Sequence, residues 1–216
     1  MCSDDTLLAR RLADDLAGGF EALALAYAGR LYAFALRLGA GHEDAEEIAQ
    51  DTLVRAYRAL AGYDAARRGE LRLRAWLFAI ALNVQRNRVR GRRLSSVPLE
   101  PQGTGGDGDE TRLIAPEPAA DPREAPEAQA EAGETRRELA AALLELPGRL
   151  RVAVVLRHVQ GLSYAEAAEA LGVPVGTVKA QVHRGTRLLR AALEAQGGER
   201  ERITTQQSPS RREVRR

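Results

Sequence analysis

A chain of 216 residues has room for one domain or two small ones, and its single cysteine, Cys2, excludes an intramolecular disulfide and a metal cluster built from thiolates. No apolar run approaches the ~18 residues of a membrane span, and the acidic N-terminus lacks the basic-then-apolar order of a signal peptide, so the chain reads as cytosolic. The net charge of +2 hides two basic blocks, thirteen Arg against eight acids in 20–93 and nine bases against six acids in 134–196, parted by an acidic one, two Arg against nine acids in 94–133; this is the pattern expected of a nucleic-acid binder with a linker.

Residues 1–19 read as a short helical or frayed lead-in. A strong helix is predicted from Phe20 to Leu38, where Phe20, Leu23, Tyr27, Leu31, Phe34 and Leu38 recur every three or four residues and Gly39 stops the run. A second is predicted from Glu43 to Ala61, with Gly62 as its cap. Ile48, Ala49, Leu53, Ala56 and Leu60 form its buried stripe, and Glu43, Glu47, Gln50, Asp51, Arg55 and Arg58 line another face. Acids near its start and arginines near its end suit the helix dipole, so structure alone accounts for that polarity. His42, Glu43, Asp44, Glu46, Glu47 and Asp51 on one exposed helix lack converging ligands from other elements, which argues against a metal or acid–base site.

A loop from Tyr63 to Arg72, containing Asp64, leads to a third helix from Leu73 to Arg90, with Leu73, Trp76, Leu77, Ile80 and Val84 as its core stripe. Trp76, the sole tryptophan, reads as core rather than as a platform for stacking bases. Arg86, Asn87, Arg88 and Arg90, with Arg92 and Arg93 beyond, either form a solvated helix end or bind phosphates, each neutralised phosphate releasing counterions. Residues 94–133 hold six of the nine prolines and five glycines; they cannot bury enough apolar surface to order themselves and read as a flexible linker. Helices resume from Glu134, with Leu139, Leu143 and Leu146 before Pro147-Gly148 and Val152, Val155, Leu156 and Val159 after it. His158 is expected at the surface. Beyond Leu193, Gly197-Gly198 is expected to end the fold, leaving a polar, arginine-bearing tail over 197–216.

Between Leu162 and Leu193 the pattern is most specific. Ser163 followed by Glu166 is a capping box, and Gly172 stands where a left-handed C-cap belongs, with Pro174 just beyond. A second helix is predicted from Val175, its inner stripe Val178, Val182, Gly185 and Leu189, with Lys179, His183, Arg184, Arg187 and Arg190 pointing away. Two short helices joined by a tight turn make a helix-turn-helix, whose second helix can enter a major groove. An ordinary amphipathic helix pair with a solvated basic face remains the bland alternative.

The runs Gly161-Leu162-Ser163-Tyr164, Leu171 to Lys179 and His183-Arg184 closely resemble the promoter-reading C-terminal domain of bacterial extracytoplasmic-function sigma factors. Asp44 to Thr52 resembles that family's signature docking helix, and Arg74 to Asn83 resembles its helix for melted promoter DNA. The resemblance covers about residues 20–93 and 134–195. It implies an all-α fold of two small domains, with 1–93 for polymerase docking and the downstream element and 134–196 for the upstream element. It also implies that Asp44, Glu47, Gln50, Asp51 and Arg55 meet the clamp helices of the largest subunit of core RNA polymerase, with a further contact to the flap of the second. Thr177, Lys179, Ala180, His183, Arg184 and Arg187 would meet the upstream (minus-35) element. Tyr63, Asp64, Arg74, Asn83, Arg86, Asn87, Arg88 and Arg90 would meet the downstream element, with the loop from Tyr63 receiving a flipped base. An anti-sigma partner is a family possibility that no residue here signals, and no cofactor, metal, membrane insertion or bond-making chemistry is expected.

In such proteins the connector threads through polymerase, so the acidic linker either mimics nucleic acid in a basic channel or is a plain spacer. Ala180 and Gln181 stand where family members often carry a serine and an arginine, and Ala167 replaces a bulkier aliphatic residue; the promoter sequence read is therefore left open. Two other functions compete. A conventional helix-turn-helix regulator would bind an operator unaided, normally as a dimer, and would not need the Asp44 to Thr52 helix. A helical adaptor with no nucleic-acid role would not need the basic face of the second helix.

Overall fold

In a computed structural model, which describes residues 2–95 and 126–206, every regular element is helical. An N-terminal bundle comprises α1 (Cys2–Asp14), α2 (Leu16–Arg37), α3 (His42–Ala61), α4 (Ala65–Gly69) and α5 (Leu73–Ser95). A C-terminal bundle comprises α6 (Pro126–Glu145), α7 (Gly148–Val154), α8 (Tyr164–Leu171) and α9 (Val175–Gln206). These correspond to the two basic blocks. Most of the expected linker, and the tail beyond residue 206, lie outside the described residues.

The first helix is more than a lead-in. Ala9 and Leu12 are buried, because they share one face of α1 and meet the core of the N-terminal bundle. Asp15 then separates α1 from α2 by accepting hydrogen bonds from the backbone N–H groups of Ala17 and Gly18, which caps the new helix. The stripe predicted for α2 is buried at Leu23, Tyr27, Leu31 and Phe34, with the Phe34 ring 4.8 Å from that of Phe78 of α5 and tilted 56° to it. Beside it, Ala45 and Ile48 of α3 pack on Val84 of α5 in a second apolar cluster.

Several ends differ from expectation. The loop after α3 contains the short α4, capped by Asp64, whose carboxylate accepts from the Arg67 backbone N–H at 2.8 Å. α5 runs to Ser95, α6 begins at Pro126 within the expected linker, and α9 continues past Gly197-Gly198. Good helix formers at 127–132 and 199–202 outweigh the breakers nearby. A wide π turn, Val155–Val159, continues α7 and carries His158 at the surface; single π turns leave no periodic signature.

The bundles pack against each other. Leu12, Tyr27 and Phe78 belong to the same buried cluster as Leu143, Leu156, Leu162, Val178 and Val182. Arg151 of α7 donates to the Leu38 carbonyl at 3.1 Å, and Arg74 of α5 donates to the Gln160 carbonyl at 3.3 Å.

Candidate nucleic-acid interface

The predicted capping box is fully formed. Ser163 Oγ accepts from the Glu166 N–H at 3.2 Å, and the Glu166 carboxylate accepts from the Ser163 N–H at 2.7 Å. Burial alone would raise the Glu166 pKa, but Ser163, Arg74 and Arg72 outweigh it and hold the carboxyl below its usual value. Gly172 closes α8 at φ +67°, a left-handed turn that favours glycine.

α9 then sets its face by burial. Val178 and Val182 are inside, and a Cβ at Gly185 would lie 2.5 Å from Val154 Cγ2 and 3.4 Å from Leu150 Cβ, so only glycine lets α7 approach this closely. With that stripe fixed, Thr177, Lys179, His183, Arg184 and Arg187 are exposed and Ala180 is half-buried. Lys179 Nζ lies 5.9 Å from the Tyr164 ring centroid, a cation–π contact that steadies it over α8. Thr177 and Gln181 also border a groove of about 680 Å3 whose far wall includes Leu82, Arg86 and Val89 of α5. The start of the second helix of the pair thus faces the N-terminal bundle.

On that bundle, Asn83, Arg86 and Asn87 are exposed along α5, while the side chain of Arg90 lies outside the described residues. Asp64 is taken up as the α4 cap. Tyr63 is half-buried, with the half-buried Trp76 ring 6.4 Å away and the Arg67 guanidinium 4.0 Å over its ring. Trp76 therefore packs at the margin of the core rather than within it. Arg67 was not singled out from the sequence, although Tyr63 and Arg67 stand four residues apart, the spacing that brings side chains together on a helical turn.

Arg74 departs from its expected place at the downstream surface. Its side chain is 10% exposed, ion-paired to Asp5 and hydrogen-bonded to the Gln160 carbonyl. Partners from α1 and from the C-terminal bundle hold it inside, where it joins elements. Arg88 is also engaged: it is ion-paired to Asp44, at 3.1 Å, and to Glu47, both on α3. Burial opposes its charge, but these carboxylates outweigh that cost and hold its pKa above the ordinary arginine value.

Glu47, Gln50, Asp51 and Arg55 are exposed on α3, and Asp44 is half-buried. Val54 and Tyr57, four and seven residues beyond Gln50, add exposed apolar surface, 47% and 43% accessible. Neither belongs to the buried stripe or the polar faces that the period of α3 distinguishes. An apolar anchor beside charges is what a protein-docking helix needs. Among the described residues no group of three or more His, Cys, Asp or Glu could hold a metal, and no helix is long and apolar enough to cross a membrane.

Residues 23–94 match the family described as Sigma-70 region 2, and residues 136–189 match Sigma-70, region 4. The chain is 33% identical over 180 residues to ECF RNA polymerase sigma factor SigE of Mycolicibacterium smegmatis, covering 83% of this chain and 63% of that relative. It is 30% identical over 168 residues to ECF RNA polymerase sigma factor SigW of Bacillus subtilis, covering 77% of this chain and 84% of the relative. Among solved structures it is similar to CnrH in complex with the cytosolic domain of CnrY, at 27% identity and a TM-score of 0.59, covering 88% of this chain and 97% of that one. It is also similar to the sigma factor RpoE in complex with the anti-sigma factor NepR from Bartonella quintana, at 26% identity and a TM-score of 0.55, covering 81% and 96%.

Proposed function

The chain belongs to the extracytoplasmic-function family of RNA polymerase sigma factors, and from that membership we propose how its two bundles divide the work of starting transcription. It binds core RNA polymerase and directs initiation at a specific set of promoters. Proteins of this kind are initiation factors, and we assign it no bond-making step of its own. Its place of action is the cytoplasm, and its partners are core polymerase, promoter DNA and, by extension from the RpoE neighbour, an anti-sigma factor.

The observation that carries this reading is the face of α9. Because Val178, Val182 and Gly185 are committed to the core, the exposed cations all project from one side of a helix that begins at a tight turn. That helix enters the major groove at the upstream element. Lys179, His183 and Arg184 reach base edges there, Ala180 lies against the groove floor, and Thr177 and Arg187 meet phosphates.

The N-terminal bundle takes the melted downstream strand. Tyr63 with Arg67 over its ring offers a stacking surface for an unstacked base, Asn83 hydrogen-bonds its edge, and Arg86, Asn87 and Arg90 follow the backbone. Asp44, Glu47, Gln50, Asp51 and Arg55 meet the clamp helices of the polymerase around Val54 and Tyr57. The functional domains are 1–93 and 134–196, and the acidic segment 94–133 that joins them includes the start of α6.

Selection of bound promoters from a randomised pool by the reconstituted holoenzyme tests the division between base and phosphate contacts. Arg184→Ala should relax preference at one base position, a bidentate arginine–guanine contact being worth about 1–3 kcal/mol of discrimination. Arg187→Ala should weaken binding evenly and leave the recovered sequences unchanged. Identical profiles for the two variants would contradict the assignment.

A further inference from the structure

Arg88 lies at a boundary between two surfaces that the proposed function keeps separate. It sits one turn beyond Val84, whose side chain packs against Ala45 and Ile48 of α3. Asp44 and Glu47, each next in sequence to one of those two, turn their carboxylates onto the Arg88 guanidinium. The apolar contact fixes the helices, and the ion pairs lie over it. Arg86 and Asn87, beside Arg88 in the chain, face solvent. The Arg88 side chain is itself 30% exposed, so a change of rotamer lifts its guanidinium off the two carboxylates and into solvent.

Both carboxylates are turned to the Arg88 guanidinium, which is thereby engaged within the protein and withheld from a phosphate. The side chains are 30% exposed for Arg88, 16% for Asp44 and 59% for Glu47, so Glu47 is open to a partner while it holds the arginine. A cationic group on a docking protein would compete with Arg88 for the same oxygens.

We propose that Arg88 is shared between the two surfaces: Asp44 and Glu47 withhold it from DNA in the free protein, and engagement of these carboxylates by core polymerase releases it to a promoter phosphate. This rests on the reading of α3 as the docking helix. Docking thereby adds a DNA contact without a change of fold, and the chain binds DNA more strongly after mounting on the enzyme than before. Arg88 acts as a phosphate ligand only in the assembled state.

The test is a mutant cycle on the full chain, using salt-dependent anisotropy of labelled oligo(dT). Each cation on a single strand contributes about 0.7 to the slope of log affinity against log salt. Arg88→Ala should leave the slope of the free protein unchanged. In a background of Asp44→Asn with Glu47→Gln the same substitution should flatten the slope by about 0.7, and Arg88→Lys should restore it. The holoenzyme, with wild-type carboxylates, should respond to Arg88→Ala as the neutralised background does.

An equal effect of Arg88→Ala in all three settings, or none in any, overturns the proposal. A merely structural Arg88 would lower the melting temperature without this dependence on background, and Arg88→Lys would not restore the slope. Affinity of the Asp44→Asn, Glu47→Gln variant for core polymerase separates the two ways of failing. Full affinity alongside an intact cycle overturns release through engagement of these carboxylates, and their docking role with it, but leaves the carboxylate hold. Weakened affinity with no Arg88 dependence overturns the hold and leaves the docking reading standing.

Discussion

Tyr27 illustrates what single residues decide in this molecule. Its ring is inside the core, its hydroxyl donates to Asp5, and Asp5 is also ion-paired to Arg74, so three helices meet at one polar node. Burial first, and then the neighbouring carboxylate, push the tyrosine pKa up from 10.0 to about 12. A raised folded-state pKa favours the protonated form in the fold, so this contribution to stability is complete below pH 10.0 and is lost as pH rises toward about 12. Denaturant midpoints measured across that range should fall for the wild-type chain, and Tyr27→Phe should remove much of the fall while being less stable at neutral pH. An unaltered pH profile in the variant would show that the tyrosine does not titrate in this way.

The same node explains where reading residues from the sequence stopped. The outward placing of Lys179, His183, Arg184, Arg187 and Arg190 followed from helical period alone, because the buried Val178, Val182 and Gly185 fix the rotation of α9. Arg74 did not follow. Its surroundings come from Asp5, 69 positions away, and from the Gln160 carbonyl, 86 positions away, and a local period carries no information about either. Arg88 was placed correctly on α5, but its carboxylate partners lie on another helix.

Elements were legible in their interiors and less so at their ends. The capping box at Ser163 and the left-handed Gly172 are chemical signals confined to a few adjacent residues, and both appear as expected. The ends of α5, the start of α6 and the end of α9 carry no such signals, so composition misplaced them. Gly185 is the position where an element's packing can be checked most sharply. In an exposed helix interior, replacing glycine by alanine stabilises by about 1 kcal/mol. Here the added methyl would collide with Val154 of α7, and overpacking of this kind costs about 1–3 kcal/mol. Gly185→Ala should therefore lower stability in equilibrium denaturation despite its better helix propensity. A stabilised variant would mean that α7 and α9 are not in close contact.

For the whole molecule, the alternation of basic and acidic blocks foretold two helical units and the segment between them, and the structure bears out the two units. How the units meet was not legible. Their contacts include arginines donating to main-chain carbonyls, Arg151 to Leu38 and Arg74 to Gln160, and any residue type supplies a carbonyl. The ion pair between Arg72 and Glu169 also crosses between the units, but with both side chains 62% exposed it contributes little. The shared apolar cluster does more, since it buries Leu156 and Leu162 alongside Phe78.

Core bacterial RNA polymerase, assayed with and without this protein on a library of candidate promoters, addresses the central claim directly when the 5′ ends of the transcripts are mapped. The account predicts transcripts from a defined start site downstream of a common sequence only when the protein is present. Failure to associate with the core enzyme at low salt, or tight operator binding by the protein alone with no transcripts from the mixture, would contradict it.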